Sequence, residues 1–265
     1  MGRVITETAE IPSLGRNKRL HVYLPDDAQT ESRLYPVLYM QDGHNLFEAR
    51  DAAFGVSWNV GAVLDDWERK TGTNCIVVGI DSPSLLRFDE YSPWKNERPE
   101  NLPEAFRCGR LLGGEGEAYA DWFLGELKAR IDSRYPTDPD RTWLAGSSMG
   151  AVISLYAGFR HPETVRKIGA FSPAAWFAET SLLDFLQRRT RPDIGVWLDV
   201  GTAETSDPKD PSFPDTYLSG TRKIRQALET GGIRDLVYRE IPGGIHHESA
   251  WADRFPGFVR WLFQA

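Results

Sequence analysis

The segment from residue 141 to 162 joins an apolar stretch to a helix-like pattern through a cluster of glycines and serines. At the junction, Gly146-Ser147-Ser148-Met149-Gly150 matches the pattern G-x-S-x-G between a predicted strand and a predicted helix. In so sharp a turn, side chains at the flanking positions would collide, which explains the glycines. Ser148 comes at the start of the helix, where backbone N–H groups and the helix dipole favour negative charge. The pattern therefore predicts that Ser148 is a nucleophile.

A serine nucleophile needs a base, because its hydroxyl is a poor nucleophile at neutral pH. The chain has five histidines. Three are poorly placed: one within a predicted strand, one at the end of the helix after the nucleophile, and one before the nucleophile in the chain (His21, His161 and His44). His246 and His247 remain, in the loop after the last predicted strand. Adjacent loop residues cannot both face the serine, so the pattern alone leaves these two open. A metal site is disfavoured, since the pair lacks a spaced third ligand.

A carboxylate that orients the base is expected after the predicted strand at residues 194–201. The candidates are Asp199, Glu204 and Asp207. Asp199 lies within the strand by its apolar pattern, and Asp207 lies farther along, beside a proline. Glu204 comes at the start of the loop, where such a carboxylate would fix the imidazole tautomer and stabilise the imidazolium. We therefore predict Glu204 and keep the two aspartates as alternatives.

Acyl chemistry at Ser148 also requires hydrogen-bond donors for the tetrahedral oxyanion. One donor is expected to be the backbone N–H of Met149, directly after the nucleophile. The other is expected from the early loop "YMQDGHNLF", where Gly43 allows a tight turn. The backbone N–H of His44 is then the second candidate donor, and its side chain would be incidental.

Apolar and polar patterns predict alternating strands and helices along the chain. Residues 35–41 and 75–81 are short continuous apolar runs, typical of strands buried on both faces. The other predicted strands are residues 19–25, 141–146, 165–172, 194–201 and 235–243. The predicted helices are residues 57–72, 115–135, 148–159, 216–230 and 247–263. This alternation predicts an α/β fold with a mainly parallel central sheet, helices on both faces, and a single domain over residues 1–265.

Composition narrows the function classes. With 41% hydrophobic and 26% charged residues, the 265-residue chain has the composition of an ordinary globular protein. A net charge of -7 argues against a nucleic-acid surface, and no apolar run is long enough for a membrane span. The N-terminal segment lacks the apolar core of a signal peptide. Two cysteines, Cys75 and Cys108, cannot build a disulfide framework, and whether they pair is left open. We expect a cytoplasmic protein of undetermined oligomeric state.

Several segments together resemble one family: "VLYMQDGHNLF", "IVVGID", "EYSPW", "GSSMGAVISLYAGFRHPE", "GAFSPAAW", "DVGTAE" and "HHESAW". They are similar to the esterase family of α/β-hydrolases that includes enterochelin esterases, feruloyl and acetyl-xylan esterases, and antigen 85 mycolyltransferases. The resemblance extends from about residue 19 to residue 261. It implies the α/β-hydrolase fold without a large cap domain. It also implies His246 as the base, because a tryptophan (Trp251) follows five positions later, and it supports Glu204 and His44 in their predicted roles.

The long irregular segment at residues 82–114 is expected near the carboxyl ends of the strands, where ligands bind in open α/β sheets. Several of its residues and two further tryptophans are candidates for an aromatic and charged substrate wall. For Trp58 and Tyr91, core or rim packing is an equally weighted alternative. The predicted substrate-binding residues are Trp58, Arg87, Glu90, Tyr91, Trp94 and Trp176. We expect a serine esterase for a sugar- or aromatic-acyl ester, with no cofactor or metal. The alternatives are an acyltransferase and a catalytically idle hydrolase fold that acts as a binding module.

Overall fold

The structure is a computed structural model of the chain, and it describes residues 1–28, 33–82, 86–99, 102, 104–188 and 193–264. Eight strands lie within these residues, hydrogen-bonded in the order β1-β2-β4-β3-β5-β6-β7-β8. The strands are β1 (Arg3–Ile11), β2 (Arg16–Leu24), β3 (Tyr35–Gln41), β4 (Ile76–Ile80), β5 (Thr137–Ser147), β6 (Val165–Phe171), β7 (Gly195–Gly201) and β8 (Leu236–Ile241).

Eight α-helices lie in the same described ranges. They are α1 (Val60–Thr71), α2 (Leu86–Glu90), α3 (Gly116–Trp122), α4 (Lys128–Arg134), α5 (Met149–Arg160), α6 (Glu179–Gln187), α7 (Phe213–Thr230) and α8 (Glu248–Leu262). A π-helical turn, Phe123–Leu127, joins α3 to α4. No helix in the described part of the chain combines the length and apolarity that crossing a bilayer would need.

The chain divides into two compact units, each assembled from separate stretches of sequence. The first unit comprises Met1–Ser82, Trp122–Leu144 and His247–Ala265. In it, β2 is antiparallel to both β1 and β4, and β4 is parallel to β3. Every residue of β3 and β4 is buried, as their continuous apolar runs predict. The helices α1 and α8 pack together in this unit.

The second unit comprises Pro83–Asp121 and Ala145–His246. Its strands β6, β7 and β8 are parallel, with Phe171 opposite Asp199 and Gly201 opposite Ile241. Helix α5 packs on β6, and α7 packs on β7 and β8. Because parallel strands end at one edge of a sheet, the loops after these three strands emerge side by side. This edge carries the residues of the candidate site.

The predicted fold class is confirmed: the sheet is mainly parallel and alternates with helices along the chain. The single-domain assignment for residues 1–265 stays a prediction. Strand β1 was not predicted, because its alternating residues are mostly exposed and it is held at a sheet edge by pairing with β2. Helices α2 and α6 were not predicted either. Within the segment predicted to be irregular, residues 83–85, 100, 101 and 103 lie outside the described residues.

Candidate active site

Ser148 occupies the turn between β5 and α5 in a backbone conformation that only a constrained site retains. Its φ is 57° and its ψ is -122°, a region that costs a non-glycine residue about 1–3 kcal/mol. The conformation is held from both sides, since the Ser148 N–H donates to the carbonyl of Phe171 at 2.9 Å and its carbonyl accepts from the N–H of Ala174 at 3.1 Å. Ser148 is nearly buried in this turn, with 9% of the residue exposed.

The glycines of the motif are required by close backbone approach. A Cβ added to Gly146 would lie 2.5 Å from the carbonyl carbon and oxygen of Gly150, closer than real Cβ contacts allow. Met149 then begins α5, so its N–H is among the first N–H groups of a helix, which have no partner within the helix. This backbone position agrees with the predicted role of Met149 as an oxyanion donor.

His246 and Glu204 form a hydrogen-bonded pair in the loops after β8 and β7. Nδ1 of His246 lies 2.7 Å from Oε2 of Glu204. Glu204 has no exposed surface. A buried carboxylate that accepts from Nδ1 selects the tautomer in which Nε2 is an acceptor and stabilises the imidazolium once a proton arrives.

Two further donors hold the other oxygen of Glu204. The backbone N–H of Gly201 donates to Oε1 at 2.5 Å, and the hydroxyl of Ser172 donates to the same atom. Ser172 follows β6 and has a φ of 50°. Neighbouring donors of this kind are what allow a carboxylate to be buried without a large energetic penalty. Sequence reasoning missed Ser172, although it lies within the segment "GAFSPAAW".

The alternative acids and the alternative base have other partners. Oδ2 of Asp199 accepts from the indole N–H of Trp197 at 2.8 Å within β7. Oδ1 of Asp207 accepts from the backbone N–H of Lys209 at 2.9 Å. His247 is the N-cap of α8, where its Nδ1 accepts from the N–H of Ser249 at 3.2 Å. Of the three candidate carboxylates, Glu204 is the one hydrogen-bonded to the imidazole of His246 in the described contacts.

Tyr217, in α7, contacts the other side of the imidazole and was not predicted. Its hydroxyl lies 3.2 Å from Nε2 of His246 and 2.6 Å from the hydroxyl of Ser206. The phenol and imidazole ring centroids are 4.5 Å apart at an interplanar angle of 36°. Burial raises the pKa of Tyr217 to about 12, and the neighbouring hydroxyls of Ser206 and Ser148 partly oppose that rise.

A cavity of about 460 Å³ lies in the same unit, and its wall adjoins Tyr217. Trp176 packs edge to face against Tyr217, with ring centroids 6.5 Å apart. The ring centroids of Phe213 and Tyr217 are 5.8 Å apart. Trp176 and Phe213 line the cavity, together with charged and apolar side chains that include Arg98, Leu102, Arg107 and Asp207. Trp176 is the one predicted substrate-binding residue among the residues that line this cavity.

The other predicted substrate-binding residues have varied surroundings. The guanidinium of Arg87 donates to the carbonyl of Ser147 at 3.3 Å, next to the nucleophile. Trp94 packs edge-on against Tyr156 and Phe185. Trp58 packs against Trp251 and Phe255, and Tyr91 packs against Tyr119, as the packing alternative for these two expects. Glu90 has no exposed surface.

In the first unit, His44 lies in a short 3₁₀ turn, Gly43–Asn45. A Cβ on Gly43 would lie 2.6 Å from the carbonyl carbon of Gly79, so this turn requires glycine. Asp81 lies 3.1 Å from Nε2 of His21 and 3.7 Å from Nδ1 of His44. Burial opposes ionisation of Asp81, but its contacts with the two imidazoles outweigh burial and lower its pKa. The role of the His44 N–H as an oxyanion donor stays a prediction.

The two cysteines, whose pairing was left open, are both free: Cys75 is buried and Cys108 is exposed.

The match to a family model decides the broad class of the protein. The family described as "Putative esterase" matches residues 11–262 of the chain. The chain belongs to this esterase family. The family predicted from the sequence segments is thereby confirmed, and an esterase function follows at the level of the family.

Individual proteins and a solved structure are also similar to this chain. The chain is 26% identical over 256 residues, 93% of each protein, to "Uncharacterized protein YbbA" of Bacillus subtilis (strain 168). It is 25% identical over 164 residues to the "Siderophore triacetylfusarinine C esterase" of Aspergillus fumigatus, which covers 60% of this chain and 50% of that protein. The crystal structure of the BES protein from Bacillus cereus superposes with a TM-score of 0.74 at 18% identity, covering 99% of this chain and 95% of that one. The last comparison supports the α/β-hydrolase fold.

Proposed function

We propose that the protein is a serine esterase that hydrolyses a carboxylic ester through an acyl-enzyme. The observation that carries the proposal is the pair formed by His246 and the fully buried Glu204, in the same compact unit as Ser148 on its strained turn. A nucleophile, a base and a group that orients the base are the components that acyl transfer to serine requires.

In the proposed reaction, Ser148 Oγ attacks the acyl carbon while its proton moves to Nε2 of His246. The carbonyl oxygen becomes an oxyanion, which the N–H group of Met149 would stabilise, and one such donor is worth roughly two to three orders of magnitude in rate. Collapse of the tetrahedral intermediate breaks the ester C–O bond, and the Nε2 proton goes to the leaving alcohol. Water then attacks the acyl-enzyme by the same steps, which releases the acid and restores Ser148.

The substrate class we propose is a compact ester with an aromatic or sugar portion. Trp176 and Phe213 offer aromatic surface in the cavity, and Arg98, Arg107 and Asp207 offer charged groups at its wall. Such a lining suits flat or hydroxylated molecules better than a long alkyl chain. The Aspergillus fumigatus relative is named as an esterase that acts on a siderophore.

The test combines hydrolysis of p-nitrophenyl acetate with fluorophosphonate labelling and peptide mapping, on wild type and Ser148→Ala. We expect wild type to turn over the ester and to carry the label on Ser148, and the variant to lose both. Ser147→Ala is the matched control, since Ser147 precedes the nucleophile and its described contact with Arg87 is made by its backbone carbonyl. A folded wild-type protein with neither turnover nor label, or a Ser148→Ala variant with full activity, would contradict the proposal.

The substrate class is tested with a panel of feruloyl, acetyl-sugar and straight-chain acyl esters. We expect aromatic or sugar esters to give the highest kcat/KM, and Trp176→Ala to lower kcat/KM for them more than for a short alkyl ester. A preference for long alkyl chains in both proteins would exclude the class that we propose.

A further inference from the structure

Tyr217 is fully buried, and its hydroxyl contacts Nε2 of His246. In the proposed reaction, this nitrogen takes the proton of Ser148. Besides Nε2 of His246 at 3.2 Å, the hydroxyl contacts the Ser206 hydroxyl at 2.6 Å, and Ser148 is near enough to affect its ionisation. One phenol thus contacts the predicted base at Nε2 and the hydroxyl of Ser206. The proposed reaction assigns no role to the contact between Tyr217 and His246.

The hydrogen-bond chemistry of this hydroxyl suits both protonation states of the imidazole. When Nδ1–H of His246 donates to Glu204, Nε2 has a single acceptor lone pair, so Tyr217 O–H can donate to it until the proton of Ser148 arrives, while Ser206 donates to the phenol oxygen. When Nε2 has taken the proton from Ser148, it becomes a donor. The phenol oxygen can then accept from Nε2–H and turn its own proton towards Ser206. Because burial raises the pKa of Tyr217 to about 12, the phenol stays a neutral hydroxyl at neutral pH.

The aromatic ring adds a steric constraint on the same imidazole. It lies against the His246 ring with centroids 4.5 Å apart, and it is backed by Trp176 and Phe213. Glu204 holds one edge of the imidazole through Nδ1, and Tyr217 holds the opposite edge and one face. Rotation of the ring away from the nucleophile would break both hydrogen bonds.

We propose that Tyr217, supported by Ser206, is a positioning residue that holds Nε2 of His246 in line with Ser148 through the catalytic cycle. The inference rests on the proposed function, because it assigns a partner to the base of that mechanism. It adds a constraint on the Nε2 side to the familiar one that a carboxylate provides on the Nδ1 side. Tyr217 acts through His246, so its removal should affect the chemical steps more than substrate binding.

The experiment compares Tyr217→Phe with wild type in p-nitrophenyl acetate hydrolysis and in the rate of fluorophosphonate labelling. The variant keeps the ring and removes the hydroxyl. We expect kcat and the labelling rate to fall by roughly tenfold, as for loss of one hydrogen bond, with KM changed by less than about twofold. Ser206→Ala should shift both rates in the same direction by a smaller factor. Ser206→Thr, which keeps a hydroxyl, should restore them.

A spectroscopic measurement separates positioning from a general structural effect. The imidazole N–H proton that His246 donates to Glu204 should give a downfield proton NMR signal in wild type. We expect this signal to broaden or move in Tyr217→Phe, because the ring is less firmly held. Tyr39→Phe is the matched control: Tyr39 is also fully buried, and its hydroxyl has no hydrogen-bond partner within the described residues. This control should leave both the rates and the signal unchanged.

Equal or faster labelling and turnover in Tyr217→Phe would overturn the inference, even with Ser148 established as the nucleophile. Absence of labelling in wild type would instead contradict the proposed function, so the two failures are distinguishable. If thermal unfolding shows that the Tyr217→Phe variant is not folded, the Ser206→Ala and Ser206→Thr variants test the role of the hydroxyl instead. Wild-type rates in both Ser206 variants would then count against the role of the hydroxyl.

Discussion

Glu204 with His246, and Asp81 with His21 and His44, are two carboxylate–imidazole groups in different units of one chain. Glu204 is fully buried, and its two oxygens accept from Ser172, Gly201 and one imidazole. Asp81 has 20% of its side chain exposed and lies between two imidazoles, at 3.1 and 3.7 Å. The residue types are nearly the same in the two groups, but the surroundings differ.

The difference teaches that a carboxylate beside histidine is not by itself a catalytic arrangement. In the Glu204 group, one imidazole has its Nδ1 bound to the carboxylate and its Nε2 next to the hydroxyl of Tyr217, in the unit that holds Ser148. In the Asp81 group, one carboxylate lies beside two imidazoles, and these contacts outweigh burial and lower its pKa. We therefore expect the first group to govern rate and the second to govern stability, and the predictions below separate the two.

The largest effect is expected for His246→Ala. It removes the base, and we expect kcat for p-nitrophenyl acetate to fall by about a thousandfold or more. His247→Ala is the neighbouring control. It removes the acceptor for the N–H of Ser249 and should cost about 1 kcal/mol of stability while kcat stays within a few-fold of wild type. If His247→Ala lowered kcat more than His246→Ala in steady-state kinetics, His247 would be the base.

Glu204→Gln should have the second-largest effect. The amide can keep part of the packing, but it no longer stabilises the imidazolium, so kcat should fall by roughly 10²- to 10⁴-fold. Asp199→Asn, whose carboxylate accepts from the indole N–H of Trp197 within β7, should change kcat little. Comparable losses in both variants would contradict the assignment of Glu204 as the orienting acid.

A smaller effect is expected at Ser172, whose hydroxyl donates to Glu204. Ser172→Ala should lower kcat by roughly tenfold, the value of about one hydrogen bond to a charged group. Because Ser172 has a φ of 50°, Ser172→Gly relieves backbone strain while it also removes the hydroxyl. We expect Ser172→Gly to be the more stable variant by thermal unfolding and to be equally slow. Recovery of wild-type kcat in Ser172→Gly would show that strain rather than hydrogen bonding matters there.

The smallest and most selective effect is expected for Asp81→Asn, measured by urea unfolding between about pH 6 and pH 3. The contacts with His21 and His44 lower the folded-state pKa of Asp81 below its unfolded value of about 4. The resulting stability is therefore fully present above the unfolded pKa and is lost as the pH falls through the folded one. Asp81→Asn should be less stable at pH 6 and should lose less stability on acidification. Parallel pH curves for the two proteins would exclude this contribution.

Much of the fold could be predicted from local patterns. The continuous apolar runs at β3 and β4 indicated buried strands, and both are entirely buried. The N-terminal strand β1 could not be predicted in this way, because most of its residues are exposed and its stability depends on pairing with β2. Edge strands are held by backbone hydrogen bonds to a neighbour that is defined only once the chain has folded.

The candidate site also has parts that were predictable from the sequence and parts that were not. The turn around Ser148 is local, since Gly146 and Gly150 meet within five residues, and it was predictable from its motif. The adjacent histidines were not separable by pattern, because a residue that caps a helix and one that meets a carboxylate look alike in sequence. Tyr217 is an ordinary aromatic residue of an amphipathic helix, and no local signal distinguishes it.

The amino-acid sequence by itself determined the fold class, the family and the strained turn at Ser148, because these depend on apolar periodicity and on glycines close together in the chain. Only the tertiary structure decided which acid meets His246, what His247 does, and that Tyr217 lies against the imidazole. The contacts of His246 with Tyr217 and Glu204 join residues 29 and 42 positions apart, from different loops and a helix. The distances between these residues depend on how the helix packs on the parallel strands. A local sequence pattern does not encode that packing.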